Sequence, residues 1–281
     1  MDVRDLSGKM VLVTGAASGI GKATALACAR RGASLAICDV NESALAETER
    51  ELRALGREVL ARRVDVASRH DLHEFAAAVH AQVEAVDILM NNAGVALGGG
   101  FMDTSLEDWD WIVGINQWGV IHGCHFFVPA MVKRGRGGHV INVSSTAGFV
   151  AAEALLAYST TKFAVLGLSE ALRDELYRDH IGVTAVCPGV INTPITQSAR
   201  LRGIQAGPEA RERMIALFRR RNYPPERVAE NLLKAVQRNR AVAPISPEAW
   251  FAYYTKRLAP WLVAWMNRKL GEQMRREAGV A

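Results

Sequence analysis

The stretch TGAASGIG, residues 14–21, decides how this chain is expected to fold. It ends the apolar run MVLVTG of residues 10–15 and opens a segment of helical period. Gly15, Gly19 and Gly21 have the spacing G-x-x-x-G-x-G. Glycines let a backbone approach a pyrophosphate, and the first turn of a helix offers free N–H groups. The stretch therefore predicts a dinucleotide-binding loop, with a plain glycine-rich turn as the alternative.

Short apolar runs alternate with longer amphipathic segments as far as residue 245, which is typical of a parallel sheet covered by helices on both faces. The amphipathic segments include 19–31, 41–55 and 68–83. The candidate strands are 10–15, 34–39, 58–65, 86–94, 138–145, 181–189 and 240–246. We therefore predict the α/β class, with a doubly wound parallel sheet (Rossmann fold) in a single domain followed by a C-terminal amphipathic helix.

Two boundaries divide the chain. Residues 1–245 are predicted to form one Rossmann-type dinucleotide-binding and catalytic domain, because no linker, repeat or low-complexity stretch interrupts the pattern. At about 191–225 the alternation breaks into an arginine-rich excursion. Residues 246–281 are predicted to form a C-terminal amphipathic extension.

Composition and charge narrow the functional class. Hydrophobic residues make up 49% and charged residues 22% of the 281 residues, as in globular proteins with a sizeable core. The net charge of +5 is spread along the chain, so no nucleic-acid partner is predicted.

The cysteines and the N-terminus predict a compartment. Cys28, Cys38, Cys124 and Cys187 each lie in an apolar segment without a C-x-x-C pair, so we expect buried thiols in a reducing environment and no metal site. The first ten residues lack a signal-peptide core, and no apolar run approaches the roughly 18 residues of a membrane span. A cytoplasmic location is predicted.

The second candidate strand ends in an acid, Asp39, eighteen residues after Gly21. A carboxylate there accepts hydrogen bonds from both ribose hydroxyls and repels a 2′-phosphate, which favours NAD over NADP. Lys22, Arg30 and Arg62 lie nearby in sequence and keep NADP open. A solvated loop acid is the alternative interpretation.

The stretch AYSTTKFA, residues 157–164, places a phenol and an ammonium one helical turn apart. Tyr158 and Lys162 share a helix face, with Cβ atoms roughly 5–6 Å apart. Free tyrosine has a pKa near 10, so a tyrosine base at neutral pH needs about two to three units of help. A neighbouring cation gives help of that sign.

Four ordered motifs now identify a resemblance. They are TGAASGIG, NNAG at residues 91–94, Ser145 thirteen residues before YSTTK, and PGVINT at residues 188–193. Over about residues 8–245 the chain resembles the short-chain dehydrogenases/reductases. The resemblance implies Tyr158 as catalytic acid/base and Lys162 as the residue that binds the nicotinamide ribose and lowers the tyrosine pKa.

The resemblance also assigns the remaining catalytic and cofactor positions. Ser145 corresponds to the serine that hydrogen-bonds the substrate oxygen, with Ser144 as a competitor, and Asn116 to the asparagine that holds a water in a proton relay. Asp65 resembles the acid that caps the adenine, and Thr193 the residue that meets the carboxamide. The implied cofactor-binding set is Gly15, Ser18, Gly19, Ile20, Gly21, Asp39, Asp65, Val66, Asn92, Ala93, Gly94, Tyr158, Lys162, Pro188, Gly189, Ile191 and Thr193.

Substrate specificity is sought in three places. The family's pocket is usually closed by the segment after PG, here 191–223, whose arginines face either an acidic substrate or solvent. The three glycines of 98–100 suggest a mobile rim. Glu153 is the only charged residue between Ser145 and Tyr158, so a fairly apolar alcohol or ketone is predicted. The candidate apolar walls are Trp118, Phe149, Leu155 and Leu156.

The tail has its own amphipathic pattern, predicted as a helix that begins at Pro260 and not earlier. Its apolar row is Leu258, Leu262, Met266, Leu270 and Met274, with Trp261 and Trp265 beside it and Lys256, Arg257, Arg268 and Lys269 as basic partners. Three hypotheses follow: packing on its own domain or on a partner subunit, contact with a membrane surface, or a lid over a lipophilic substrate.

Together these features predict an NAD(P)-dependent oxidoreductase that interconverts a secondary alcohol and a ketone, acting on CH–OH groups. A 3-oxoacyl-thioester-type reductase using NADPH is the enzymatic alternative, which Asp39 disfavours. A dinucleotide-binding regulator without turnover is an alternative of another class, as is a membrane-surface scaffold built on the tail. The resemblance implies a small-molecule substrate and a homodimer or homotetramer.

Overall fold

Seven parallel strands form the central sheet of the computed structural model, which describes residues 2–277. Residues 1 and 278–281, at the ends of the predicted domain and extension, lie outside the described residues. The strands of this sheet are β1 (Met10–Thr14), β2 (Ser34–Asp39), β3 (Val59–Arg63), β4 (Ile88–Asn91), β6 (Gly138–Val143), β7 (Ile181–Cys187) and β9 (Val242–Pro244). A separate short pair is formed by β5 (Leu97–Gly98) and β8 (Arg200–Leu201).

The strand order in the sheet is β3-β2-β1-β4-β6-β7-β9. The chain therefore reverses its direction of travel across the sheet between β1 and β4, which are paired in register from Val11 with Ile88 to Val13 with Met90. In open α/β sheets, ligands bind at such a reversal, outside the carboxyl ends of the strands. The predicted fold class is confirmed, and all seven candidate strands are present.

Helices cover both faces of the sheet. They are α1 (Gly19–Ala29), α2 (Glu42–Ala54), α3 (Arg69–His80), α4 (Leu106–Val113), α5 (Gly119–Arg134), α6 (Leu156–Glu175), α7 (Ile195–Ser198), α8 (Pro208–Arg221), α9 (Pro225–Gln237), α10 (Pro247–Leu258) and α11 (Pro260–Glu277). Short 3-10 turns occupy Thr146–Gly148, Leu176–Asp179 and Gly203–Gln205, and a π-helix occupies Gly114–Trp118.

Alternate residues of the buried strands supply two cores. On β1, Val11 and Val13 join the core formed with α1 and α9, whereas Met10 and Leu12 join the core formed with α3 and α5. Successive side chains of a strand point to opposite faces, so a strand buried on both sides is apolar throughout. The four cysteines are buried and unpaired, as expected from their apolar surroundings.

The excursion after β7 contains α7, β8 and α8. Two of its arginines make contacts that were not predicted. Arg200 and Arg202 both form ion pairs with Asp108 of α4, at 3.1 and 2.7 Å. The Asp108 carboxylate is 3% exposed, and the two arginines compensate its burial. These pairs hold the excursion against the start of α4, beside the β5–β8 pair.

The tail forms two helices. The predicted start at Pro260 is confirmed, since α11 begins there, whereas the earlier helix α10 was not predicted. The predicted apolar row is also divided, because Leu258 ends α10 and is 81% exposed. Val263 and Gly271 are the buried residues of α11, while Met266 and Leu270 are exposed. The tail thus packs on its own domain through a narrow stripe. Within residues 2–277, no helix is both long and apolar enough to cross a membrane.

Candidate active site

The predicted phosphate loop lies at the carboxyl end of β1. Gly15 and Gly19 have φ angles of 67° and 55°, in the left-handed region that favours glycine. A Cβ on Gly21 would collide with the Gly15 carbonyl oxygen, so this turn packs backbone against backbone. Ser18 occupies the N-cap position of α1 without a side-chain capping bond. The N–H groups of the first turn of α1, where Ile20 lies, therefore have no protein side chain as cap among the described residues.

The NNAG turn is fastened to this loop from the neighbouring strand. The main-chain N–H groups of Asn92 and Ala93 both donate to the Thr14 hydroxyl at 3.0 Å. The Asn92 amide donates to the carbonyls of Thr14 and Gly15 at 2.9 and 3.0 Å. Asn92 therefore shapes the phosphate loop from within the protein. Thr14, which the sequence interpretation did not single out, connects the two motifs.

Asp39 ends β2 beside the phosphate loop. Its carboxylate accepts hydrogen bonds from the N–H groups of Ala17 at 3.0 Å and Asn41 at 2.9 Å. A carboxylate has about four acceptor positions, so capacity remains for ribose hydroxyls. Lys22 is paired with Glu51 at 2.8 Å. The basic residue opposite Asp39 in the sheet register is exposed Arg63, which was not among the basic residues identified from sequence.

Asp65 and Val66 follow the end of β3. Asp65 accepts a hydrogen bond from the Ala67 N–H at 2.9 Å and so caps its own turn. The Val66 carbonyl lies 3.0 Å from Nδ1 of buried His122, which requires the Nδ1–H tautomer. Trp118, predicted as a pocket wall, stacks on the His122 ring with centroids 5.6 Å apart. His122 thus fixes this turn, and no spacing in the sequence indicated that role.

Ser145, Tyr158 and Lys162 converge where β6 ends and α6 begins. Tyr158 and Lys162 lie in the first two turns of α6, and the Lys162 Nζ is 5.6 Å from the centre of the Tyr158 ring. Lys162 is 4% exposed and donates to the Val143 carbonyl at 3.0 Å. Ser145 accepts a hydrogen bond from the Ala147 N–H at 3.1 Å, so it also caps the turn after β6.

Ser144 and Ser145 point in different directions. The Ser144 hydroxyl is buried and donates to the main-chain carbonyl of Lys162 at 2.7 Å. Ser144 is therefore a support for Lys162. Ser145, which is close enough to Tyr158 to affect its pKa, is the serine on the tyrosine side. The assignment of Ser145 as the substrate-binding serine stays a prediction.

Burial controls the protonation of the tyrosine and the lysine. Burial raises the pKa of Tyr158, and a hydrogen bond with Ser145 partly opposes that rise. This direction is opposite to the one expected from Lys162. Burial lowers the pKa of Lys162 from 10.5 to about 8, which leaves most of the lysine cationic at neutral pH. The protein groups alone therefore hold Tyr158 as the neutral phenol.

Asn116 lies in the π-helix between α4 and α5. Its side-chain oxygen accepts from the Val95 N–H at 2.8 Å, and its amide donates to the Val95 carbonyl at 2.9 Å and the Thr161 hydroxyl at 3.2 Å. A Cβ on Gly94 would be 3.2 Å from this oxygen and 3.4 Å from the Lys162 Nζ. Asn116 therefore lies near Lys162, and its side chain links the chain after β4 to α6.

The PGVINT segment follows the carboxyl end of β7. The Pro188 carbonyl accepts hydrogen bonds from the N–H and hydroxyl of Thr146 at 2.9 and 3.0 Å. Ile191 is buried in the core. A Cβ on Gly19 would be 3.2 Å from the Thr193 methyl group, so Thr193 lies against the phosphate loop. A cavity of about 190 Å³ adjoins Thr193 and is bounded by α7 and α8.

Tail residues also reach this segment. Glu248 of α10 accepts a hydrogen bond from the Val190 N–H at 3.2 Å and pairs with Arg221 of α8 at 2.6 Å. A Cβ on Gly189 would be 2.5 Å from the Glu248 carboxylate, so these two segments of the chain are in direct contact. No pattern in the sequence indicated this contact, because 58 residues separate its partners.

The phosphate loop fits the pyrophosphate of a dinucleotide. Its backbone leaves no room for added side chains, the helix N-terminus faces it, and Asp39 stands at the next strand end. Tyr158 and Lys162 lie on α6, which follows β6, and β6 is the second strand from β1 in the sheet. The fold therefore places the predicted residues along one edge of the sheet, at the carboxyl ends of its strands.

Comparisons with known proteins identify the family of this chain. The chain is 38% identical over 255 residues to "Probable oxidoreductase EphD" of Mycobacterium tuberculosis, covering 89% of this chain and 43% of that protein. The chain thus spans less than half the length of EphD. It is 33% identical over 244 residues to the "C alpha-dehydrogenase" of a Sphingobium strain, covering 84% of this chain and 80% of that protein.

A solved structure gives the same result. The short chain dehydrogenase/reductase of Burkholderia phymatum in complex with NAD superposes with a TM-score of 0.82 at 30% identity, covering 93% of this chain and 96% of that chain. Residues 9–202 match the family model described as short chain dehydrogenase. The chain therefore belongs to the short-chain dehydrogenase/reductase family of NAD(P)-dependent oxidoreductases.

Proposed function

We propose that this protein interconverts a secondary alcohol and a ketone by hydride transfer, with Tyr158 as acid/base and NAD as the preferred cofactor. The observation that carries the proposal is the buried cation of Lys162 beside the Tyr158 ring, with Ser145 on the tyrosine side. A regulator without turnover has no need of this group.

The chain's residues suit the proton half of the reaction. Ser145 and Tyr158 hydrogen-bond one substrate oxygen and orient the carbinol hydrogen towards the cofactor. In oxidation, Tyr158 accepts the hydroxyl proton while the carbinol C–H bond breaks and the C=O bond forms. When bound, the nicotinamide supplies hydride acceptance and, in its oxidised form, a positive charge. That charge and the Lys162 cation both favour the phenolate, against the burial that raises the pKa of Tyr158.

Cofactor preference is proposed from Asp39. Its carboxylate stands at the end of β2, where a 2′-phosphate would meet a negative charge, and Lys22 is already paired with Glu51. Exposed Arg63 in the neighbouring register is the group that NADP would use. NAD preference also argues against the NADPH-dependent reductase.

The substrate is proposed to be fairly apolar. The chain between Ser145 and Tyr158 has one charged side chain, Glu153, and this carboxylate is paired with Arg275 of the tail. Partly buried Leu155 and Leu156 precede Tyr158 directly. The side chains left on this wall are therefore uncharged.

The deciding experiment compares Tyr158→Phe with Tyr177→Phe. Tyr177 is 79% exposed just after α6 and serves as the matched control. Turnover of a panel of secondary alcohols with NAD is followed by reduced-nicotinamide absorbance. Tyr158→Phe is expected to lower kcat at least about 100-fold, with a much smaller change in NAD affinity. Tyr177→Phe is expected to behave as wild type. Full turnover in Tyr158→Phe would refute the proposal.

A further inference from the structure

The tail lies against the segment that joins Ser145 to Tyr158. We call residues 149–155 the rim loop. The Phe149 ring packs edge-on against Tyr253 of α10, with centroids 5.4 Å apart. The Asn267 amide of α11 donates to the Ala151 carbonyl at 2.5 Å, and Arg275 of α11 forms an ion pair with Glu153. Both tail helices therefore contact the rim loop.

The opposite edge of the rim loop is also held. The Ala154 carbonyl accepts hydrogen bonds from the Gly99 N–H at 2.9 Å and from the Gln205 amide at 2.8 Å. Leu155 forms a parallel bridge with Gly99. The rim loop is thus clamped between the chain around β5 and β8 on one side and the tail on the other.

The fit between α11 and the rim loop depends on a small residue. A Cβ on Gly271 would be 2.7 Å from the Glu153 carboxylate, so glycine allows the close approach. Val263, two turns earlier on the same helix face, is buried. The contact stripe of α11 is therefore Val263, Asn267, Gly271 and Arg275, spaced every fourth residue along one face.

We propose that α10 and α11 are a fixed wall of the substrate site, with Asn267 and Arg275 as positioning residues that hold the rim loop for bulky apolar alcohols. This inference rests on the function proposed above. The rim loop adjoins Tyr158, and displacements of about 1 Å near a reacting group are enough to lower rates. Arg275 of the tail also compensates the charge of Glu153, the only charged residue between Ser145 and Tyr158.

The ion pair alone has a small effect. The side chains of Arg275 and Glu153 are 42% and 58% exposed, and exposed pairs contribute little because water screens them. The amide bond from Asn267 acts on the same loop two residues away. The double variant Asn267→Ala with Arg275→Ala is therefore the informative one, because it removes both polar contacts from the full-length chain.

The test has a structural readout and a kinetic one. Hydrogen exchange followed by mass spectrometry reports the amides of residues 149–155 with no substrate present. Kinetics compare isopropanol with α-methylbenzyl alcohol, and NAD binding is titrated separately. Arg276→Ala is the matched control, since it removes the next arginine of α11, which is exposed.

The double variant is expected to exchange faster at 149–155. Its kcat/KM for α-methylbenzyl alcohol should fall about five- to tenfold, with kcat/KM for isopropanol and the Kd for NAD changed less than twofold. Arg276→Ala should match wild type in every measurement.

The proposal is overturned if the double variant matches Arg276→Ala in exchange at 149–155. It is equally overturned if both alcohols lose activity in parallel with NAD affinity, since that pattern indicates general destabilisation. If no alcohol is turned over by wild type, the proposed function fails, and the exchange result still decides whether the tail positions the rim loop.

Discussion

The proposed cofactor side and the proposed substrate side of the candidate site are built differently. On the cofactor side, Gly15 and Gly21 bring backbone against backbone, and the partly buried Asn92 amide donates to the loop carbonyls. On the substrate side, long side chains reach loop carbonyls or form partly exposed ion pairs, as Arg202 and Arg275 do. A substitution at a backbone contact is expected to disrupt the loop, whereas a substitution at a side-chain contact removes one bond and leaves the others in place.

The largest expected effect concerns the phosphate loop, on the proposed cofactor side. In Gly21→Ala, the new methyl group would overlap the Gly15 carbonyl oxygen, which belongs to the backbone and has no rotamer to move. We expect NAD affinity to fall at least about 100-fold, together with a lower Tm. Gly167→Ala is the control, since Gly167 is exposed on α6 with open space around its Cα, and helix propensity should stabilise it by about 0.5–1 kcal/mol. Wild-type NAD binding by Gly21→Ala would contradict this view of the loop.

The next effect concerns charge at the ribose. Asp39→Asn keeps one acceptor for the Ala17 or Asn41 N–H and removes the negative charge. The ratio of kcat/KM for NAD over NADP is expected to fall about ten- to a hundredfold. Asp65→Asn is the matched control and should leave that ratio unchanged. An unaltered ratio in Asp39→Asn would show that another group selects the cofactor.

A third prediction loosens the substrate side. Asp108→Asn removes the partner of Arg200 and Arg202, which should cost about 1–3 kcal/mol and raise the substrate KM while the NAD Kd stays constant. Arg202 and Arg200 hold the pKa of Asp108 below its usual 3.8, so this stabilisation is present above pH 3.8 and is lost as the pH falls through the lower folded value.

Thermal unfolding as a function of pH and steady-state kinetics would measure this effect. Glu272→Gln, which removes an exposed pair with Lys269 on α11, is the control and should leave Tm and KM unchanged. Equal effects of the two variants would contradict the distinction between the buried carboxylate and the surface pair.

The smallest effect is a change in the pH profile. Burial lowers the pKa of Lys162 to about 8, so the cation beside Tyr158 is present below that pH and is lost above it. Oxidation should therefore rise with pH as the phenolate forms and level off or decline above about pH 8. The arginine of Lys162→Arg stays charged at these pH values, so this variant should show no decline above about pH 8. Below about pH 8 its rate should differ from wild type by less than about tenfold. A decline of equal size in both enzymes would assign it to another group.

The same lysine affects stability with a defined sign. Its folded pKa lies below its unfolded value of 10.5, so the unfolded chain binds the proton more tightly. The contribution of Lys162 to the free energy of unfolding therefore increases as the pH rises from about 8 to 10.5. Activity and this part of the stability respond oppositely to deprotonation of one group.

The pattern and motifs of the sequence predicted the fold, which the structure confirms, and brought Ser145, Tyr158 and Lys162 together as the proposed catalytic residues. Alternating apolar runs give the sheet, and the ordered motifs around Gly19, Asn92, Ser145 and Tyr158 indicate the family, because each depends on spacing within a few residues of chain. Local geometry, such as a helical turn between Tyr158 and Lys162, follows directly from such spacing.

Only the tertiary structure decided which side chains support these groups. Ser144 and Ser145 are adjacent in sequence, and burial alone turns the first towards the Lys162 carbonyl. The direction of the Tyr158 pKa likewise depends on desolvation, which no spacing records.

The tail shows the same limit over a longer distance. Its apolar period predicted a row through Leu262, Met266 and Leu270, yet the helix docks through Asn267 and Gly271. The contacting rim loop lies more than 100 residues earlier in the chain, as the separation of 116 residues between Asn267 and Ala151 shows. Periodicity identifies an apolar face of a helix, but the surface that it meets is set by packing between distant segments.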